Sequence, residues 1–244
     1  MMSFLRSEFE ERLAEVDEHL DLLVQLEACA ASGPPRFEGS VKTISVNQQR
    51  ILYSTLYLQL YNLVESTMNL CFDYLAKEMI ANRVGPGELA PELRREWVRL
   101  MAKTHIPLTD ENRLNVAMQM AMHLVASLPI SDFEIAKGGG GNWDHLEIEK
   151  MLKRLGVKLK TPRLLYRRMQ RRVRDDLGPI ALVKKLRNDL AHGSTSFVDG
   201  AGAANCSDLM NVRNTTADFM RVVVMAFERY IENVGFRMKL VASA

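Results

Sequence analysis

Hydrophobic positions recur along this chain with the period of a helix, and nowhere with the sustained alternation of a strand. Phe9, Leu13, Val16, Leu20, Leu23 and Leu26 return every three or four residues with Glu and Asp between them, so residues 3–30 are expected to form an amphipathic helix. Ser32-Gly33-Pro34-Pro35 stops it. Its acidic face suits either an arm for a partner or a plain helix packed on the body. Ser45 to Asn82 carries the longest signal: Ile51, Leu52, Leu56, Leu60, Leu63, Met68, Leu70, Phe72 and Leu75 make it apolar over much of its circumference. Such a helix is expected at the centre of a bundle.

Gly85-Pro86-Gly87 opens a loop, and residues 91–103 and 110–127 read as two more helices, the second capped at Thr109-Asp110. Met118, Met120 and Met122 on the latter are read as adaptable core filler, and the isolated His105 and His123 as structural. Four glycines, Gly138 to Gly141, make a hinge or surface loop without the Gly-Lys-Ser/Thr ending of a P-loop. Asp144 then caps a helix, with Glu147 as its capping-box partner. Over 163–176, Arg163, Arg167, Arg171 and Arg174 share one helical face, widened by Arg168 and Arg172, opposite Leu165, Met169 and Val173. Thr161 is placed as the cap and Pro162 in the first turn. Gly178-Pro179 starts a helix whose buried face is Leu182, Val183, Leu186 and Leu190. Ser194 to Ala204 reads as a small-residue loop. A last helix spans 207–233, capped by Ser207 or Asp208, with Phe219, Val222, Val223, Ala226, Phe227 and Tyr230 towards the core. The fold class is all-α, a helical bundle with additional peripheral helices.

Composition narrows the partners. In 244 residues, 47% are hydrophobic and 25% charged, enough to bury a core. The net charge of +2 gives no chain-wide attraction for nucleic acid, so any such signal must be local. The arginines of 163–176 supply one: a one-signed strip is what an RNA-binding surface needs, although a solvated face is the plainer reading. Cys29, Cys71 and Cys206 have no metal-ligand spacing and no disulfide framework, which fits a reducing cytoplasm. The start of the chain lacks a signal-peptide core, and no apolar run reaches the length of a membrane span.

The densest chemistry lies in Lys184-Lys185-Leu186-Arg187-Asn188-Asp189-Leu190-Ala191-His192-Gly193. In a helix Asn188 and His192 stand about 40° apart and share a face, while Arg187 lies about 140° round from His192 and flanks it. Gly193 is the residue expected just past a helix C-terminus, so His192 belongs to the last turn, where the helix dipole favours its protonated form. A histidine can exchange protons near neutrality, and an arginine offers a charged fork for phosphate oxygens. The pair suits phosphodiester chemistry without a metal. The bland reading is a solvated arginine beside a capping histidine. Glu65, with Tyr61, lies in the apolar stretch Leu60-Tyr61-Asn62-Leu63-Val64-Glu65-Ser66, and a carboxylate there needs a partner. Either it orients Arg187 or Asn188, or it serves a structural ion pair.

Leu-Arg-Asn-Asp-Leu-Ala-His-Gly, an Arg-x4-His motif with a polar residue after the arginine, resembles the HEPN superfamily, and in particular its long stand-alone prokaryotic members. A core helix carrying a Glu in an apolar run resembles those families too, and Asn142-Trp143 is similar to their Gly-Asn-apolar segment. The resemblance implies one HEPN-type helical domain over 1–244. Its parts would be an N-terminal arm (1–35), a core helix (45–82), inserted helices and the glycine loop (83–160, which the resemblance leaves unexplained), and the basic, motif and last helices (161–235). It implies a metal-independent endoribonuclease acting through the ribose 2′-hydroxyl, with Arg187, Asn188 and His192 catalytic. Glu65 and Tyr61 would be orienting groups, and Arg163, Arg167, Arg171, Arg174 and Lys184 would contact RNA. No cofactor and no metal are implied. The partners implied are RNA, a second copy meeting it through the motif helices, and an antitoxin or nucleotidyltransferase, with no membrane. The biological setting implied is a defence or toxin–antitoxin system. The competing implication is a non-catalytic nucleotide-binding or scaffold module.

Overall fold

The computed structural model describes residues 3–102, 107–137 and 142–238. Over these the chain forms nine α-helices and no strand: α1 (Phe4–Ser32), α2 (Val46–Ala81), α3 (Pro91–Met101), α4 (Asp110–Val125), α5 (His145–Arg154), α6 (Arg163–Gln170), α7 (Pro179–Ala191), α8 (Phe197–Ala201) and α9 (Cys206–Glu232). The all-α expectation holds. Among the described residues no helix is long and apolar enough to cross a membrane. His105 and the Gly138–Gly141 loop lie outside the described residues.

The chain falls into two compact units. The first holds Met1–Thr67, Asn142–His145 and Thr161–Val222; the second holds Met68–Gly141, Leu146–Lys160 and Val223–Ala244. In the first, α1 is a packed helix rather than a free arm. Leu5, Phe9, Leu13, Val16, Leu20 and Leu23 are buried, and its acidic residues reach α9. Arg213 forks onto the Asp17 carboxylate, and Arg221 onto Glu10 at 2.7 and 2.8 Å. Glu27 accepts from the Cys206 backbone N–H at 2.7 Å and from the Tyr53 hydroxyl at 2.8 Å. In the second unit, Phe72 and Phe227 meet edge to face at 6.0 Å. Glu96, buried, accepts two hydrogen bonds from Arg154, at 2.9 and 2.7 Å, and a further one from Arg99.

Five expectations are corrected. The arginine helix ends at Gln170 instead of continuing to 176. Arg171 is already extended, and Asp175 and Asp176 take left-handed φ values of 52° and 59°, which Asp tolerates better than most residues. Its N-cap is Pro162 rather than Thr161. Part of the Ser194–Ala204 loop is α8, started by Ser196, whose hydroxyl accepts from the Asp199 N–H at 3.1 Å. The cap of α9 is Asn205, in reciprocal bonds with Asp208 (2.9 and 3.2 Å). Finally, α4 has no buried residue, and Met118 and Met122 are exposed on it rather than filling a core.

The turn from α6 into α7 depends on Gly178, since a Cβ there would sit 2.1 Å from the Met169 carbonyl oxygen. Pro179 follows at the first helical position, where its missing N–H costs nothing. Leu182, Val183, Leu186 and Leu190 are buried as the pattern predicts. This fixes which side of α7 faces outward, and that side carries the motif.

Candidate active site

The site is built on α7 and α2 of the first unit. The backbone of α7 closes regularly: the His192 N–H donates to the Asn188 carbonyl at 3.0 Å, and His192 is the C-cap in a right-handed conformation (φ −91°, ψ 0°). Gly193 follows at φ 70°, the left-handed position that ends a helix without a Cβ penalty. The imidazole of His192 is exposed at that end, with no hydrogen bond to a described residue.

Arg187 is held in three ways. Its guanidinium carbon lies 4.5 Å from the centre of the Tyr61 ring, a cation–π geometry worth about 0.5–2 kcal/mol. Its Nη1 donates to the Asn188 Oδ1 at 3.0 Å. Its Nη2 stands 3.6 Å from the Glu65 carboxylate, with both side chains 33% exposed. At that distance and exposure the ion pair stabilises by no more than about 1 kcal/mol. Glu65 therefore approaches one corner of Arg187 without saturating it. Tyr61 is buried, and burial is the main cause that raises its phenol pKa, against the lowering influence of the Trp143 N–H and Arg187. The ring under the guanidinium is thus an uncharged phenol.

A second strand of the site comes from residues 142–145. The Asn188 Nδ2 donates to the Asn142 Oδ1 at 3.0 Å, and the Trp143 backbone N–H donates to the Tyr61 hydroxyl at 3.1 Å. Asp144 pairs with Lys184, and His145 Nε2 lies 3.2 Å from the Gln170 amide nitrogen. Four consecutive residues are thereby tied to α2, α6 and α7. Asp144, read from sequence only as a helix cap, takes up the Lys184 ammonium, so Lys184 is partnered within the protein rather than standing out as a free cation. Nothing in the sequence linked positions 40 apart. The one visible signal for this segment was Asn142-Trp143 itself.

The basic strip is brought together only in part. Arg163, Arg167 and Arg171 are exposed. Arg174 donates to the Gly200 carbonyl at 2.9 Å, and Arg168 bonds Asp218 and Thr215 at 2.8 and 3.3 Å. Among the described residues no group of His, Cys, Asp and Glu could hold a metal ion.

The arrangement can bind a phosphate oxygen through the open edge of Arg187 and exchange a proton through His192. Compared with known proteins, the chain matches the family model of MAE_28990-like HEPN proteins over residues 1–236. The match runs through residues 83–160, the region the resemblance in sequence left unexplained. No curated protein and no solved structure matches it.

Proposed function

The chain belongs to the MAE_28990-like HEPN family, whose domains are commonly ribonucleases, and on that premise we propose that it is an endoribonuclease cleaving RNA through the ribose 2′-hydroxyl. One observation carries the reading. Arg187 is held by a ring face, the Asn188 amide and one distant corner, leaving donors open, and the same helix end carries an exposed His192 one turn beyond Asn188.

In this reaction His192, as the neutral imidazole, removes the 2′-hydroxyl proton. The resulting oxygen attacks the adjacent phosphorus, and the bond to the 5′-oxygen breaks as that oxygen gains a proton. The products are a 2′,3′-cyclic phosphate and a 5′-hydroxyl. Arg187 stabilises charge building on the phosphate oxygens, and Asn188 positions the guanidinium. The regular last turn of α7 keeps Arg187 round the axis from His192, so one motif does not enclose the phosphate. A second copy of the chain, meeting it through the motif helices, supplies the opposing imidazole as the acid. Arg163, Arg167 and Arg171 extend the contact with the RNA backbone. By analogy within the superfamily, the biological role is that of a toxin or effector in a prokaryotic defence or toxin–antitoxin system, held in check by an antitoxin or partner enzyme.

The test is incubation of the purified protein with structured RNA in excess chelator. The wild type should leave 2′,3′-cyclic phosphate ends, and His192→Ala should slow cleavage by about 100-fold or more. Equal degradation by both proteins, or none by either over a wide concentration range, would sink the reading for the isolated chain. Growth arrest on expression of the wild type but not of His192→Ala is the cellular counterpart.

A further inference from the structure

We propose that Asn142 is a positioning residue of this site, acting through Asn188 on the Arg187 guanidinium. The inference rests on the ribonuclease reading above and adds to the motif a residue from outside it. The direction of the hydrogen bonds is set by chemistry. A guanidinium has donors only, so the Asn188 amide must turn its oxygen towards Arg187 Nη1, 3.0 Å away. Its NH2 then points the other way and needs an acceptor, which the Asn142 Oδ1 provides at 3.0 Å. If Asn142 contributed no acceptor, the amide of Asn188 would lose the contact that opposes its rotation, and Arg187 would keep only the Tyr61 ring and the distant Glu65 corner.

Asn142 is itself well anchored. The three residues that follow it are tied to Tyr61, Lys184 and Gln170. Two of those anchors touch the motif region directly: Tyr61 underlies Arg187, and Lys184 lies one turn before Asn188 on α7. Asn142 is exposed, so its amide is not a packing element of the core.

The experiment compares Asn142→Ala and Asn142→Asp in the RNA cleavage assay, alone and combined with Asn188→Ala. Asn142→Ala should lower kcat roughly tenfold with KM little changed and thermal stability unaltered, as expected for a small misplacement of a charge-stabilising group. Asn142→Asp keeps an acceptor for the Asn188 NH2, so kcat should recover to within about threefold of the wild type. Its added negative charge should raise KM in a salt-sensitive way. In the Asn188→Ala background, Asn142→Ala should have no further effect. An unchanged kcat in Asn142→Ala, an Asp variant as slow as the Ala variant, or additivity with Asn188→Ala would overturn the inference while leaving the ribonuclease reading intact. If the wild type itself fails to cleave, that reading falls. The positioning then rests on the side-chain NH2 resonances of Asn188, which must shift in Asn142→Ala; unchanged resonances would overturn it.

Discussion

The same dipeptide occurs twice in the first unit, in the same local geometry and with opposite outcomes. On α7, Arg187 Nη1 donates to the Asn188 Oδ1 at 3.0 Å; on α9, Arg213 Nη1 donates to the Asn214 Oδ1 at 3.0 Å. The sequences even run in parallel, Arg-Asn-Asp-Leu-Ala-His against Arg-Asn-Thr-Thr-Ala-Asp. The carboxylates differ. Asp17 takes both Nε and Nη2 of Arg213, which is only 15% exposed, whereas Glu65 reaches one corner of Arg187 from 3.6 Å. At the last position α9 has Asp218, bound to Arg168 and Arg221, where the end of α7 has His192, whose exposed imidazole bonds no described residue. An arginine fully forked by a carboxylate joins two helices. One supported on its face and left open at its edge is available to a ligand. The identity of the residues does not separate the two cases; the degree of saturation does.

The largest expected effect tests this directly. Arg187→Ala should cut RNA cleavage by about 100-fold or more with little change in melting temperature, and Arg213→Ala should do the reverse, keeping kcat within about threefold. Urea unfolding of Arg213→Ala should show a loss of about 1–2 kcal/mol, because Asp17 loses a charge-assisted pair but can rehydrate at its partly exposed oxygens. Equal activity losses in both variants would erase the distinction. A step smaller is Arg187→Lys, which keeps the charge but not the planar group over Tyr61. Cleavage should fall by about tenfold, and a lysine variant with wild-type kcat would show that the stacking is incidental.

The smallest effect is one of pH and belongs to the α1–α9 side of the comparison. The hydrogen-bonded Arg221 holds the Glu10 carboxyl below its ordinary value of 4.5, with burial opposing and the charges of Arg221, Arg213 and Arg6 adding to it. A depressed folded-state pKa contributes stability above the unfolded value, and this is lost as pH falls through the folded one. Melting temperature measured through the acid range should therefore fall less steeply for Glu10→Gln than for the wild type. Parallel curves would show that this bridge contributes nothing.

The helices of this fold were legible because each buries a face with a clean period. α1, α2, α7 and α9 all begin and end within about two residues of the positions their apolar patterns and caps indicate. Arginine spacing mimics helical periodicity beyond the end of α6, while the two left-handed aspartates that turn the chain carry no hydrophobic signal. On α4 the pattern does not reveal exposure, because methionine spacing looks the same on a buried and on an exposed face. The candidate residues Arg187, Asn188 and His192 stand out together because they are close in sequence. Their supports could not be placed with the same assurance: Tyr61 and Glu65 lie more than a hundred residues away, and Asn142 forty-six. Only packing of the chain brings such positions together. Glu65 was still foreseeable as a carboxylate in need of a cation, whereas the Asp144 pair with Lys184 had no such mark.

Two of the supports around Arg187 differ in symmetry. Tyr61 can make a half-turn about its long axis and present an equivalent face to the guanidinium, and the phenolic oxygen, lying on that axis, stays beneath the Trp143 N–H. The amide of Asn188 has no such freedom. A half-turn there sets its NH2 against the donors of Arg187 and its oxygen against that of Asn142, so both hydrogen bonds become repulsive together. Thermal rotation of the ring is therefore silent, while rotation of the amide changes the state of the site. Arg187 rests on one support that motion cannot misalign and on another that has a right and a wrong way round.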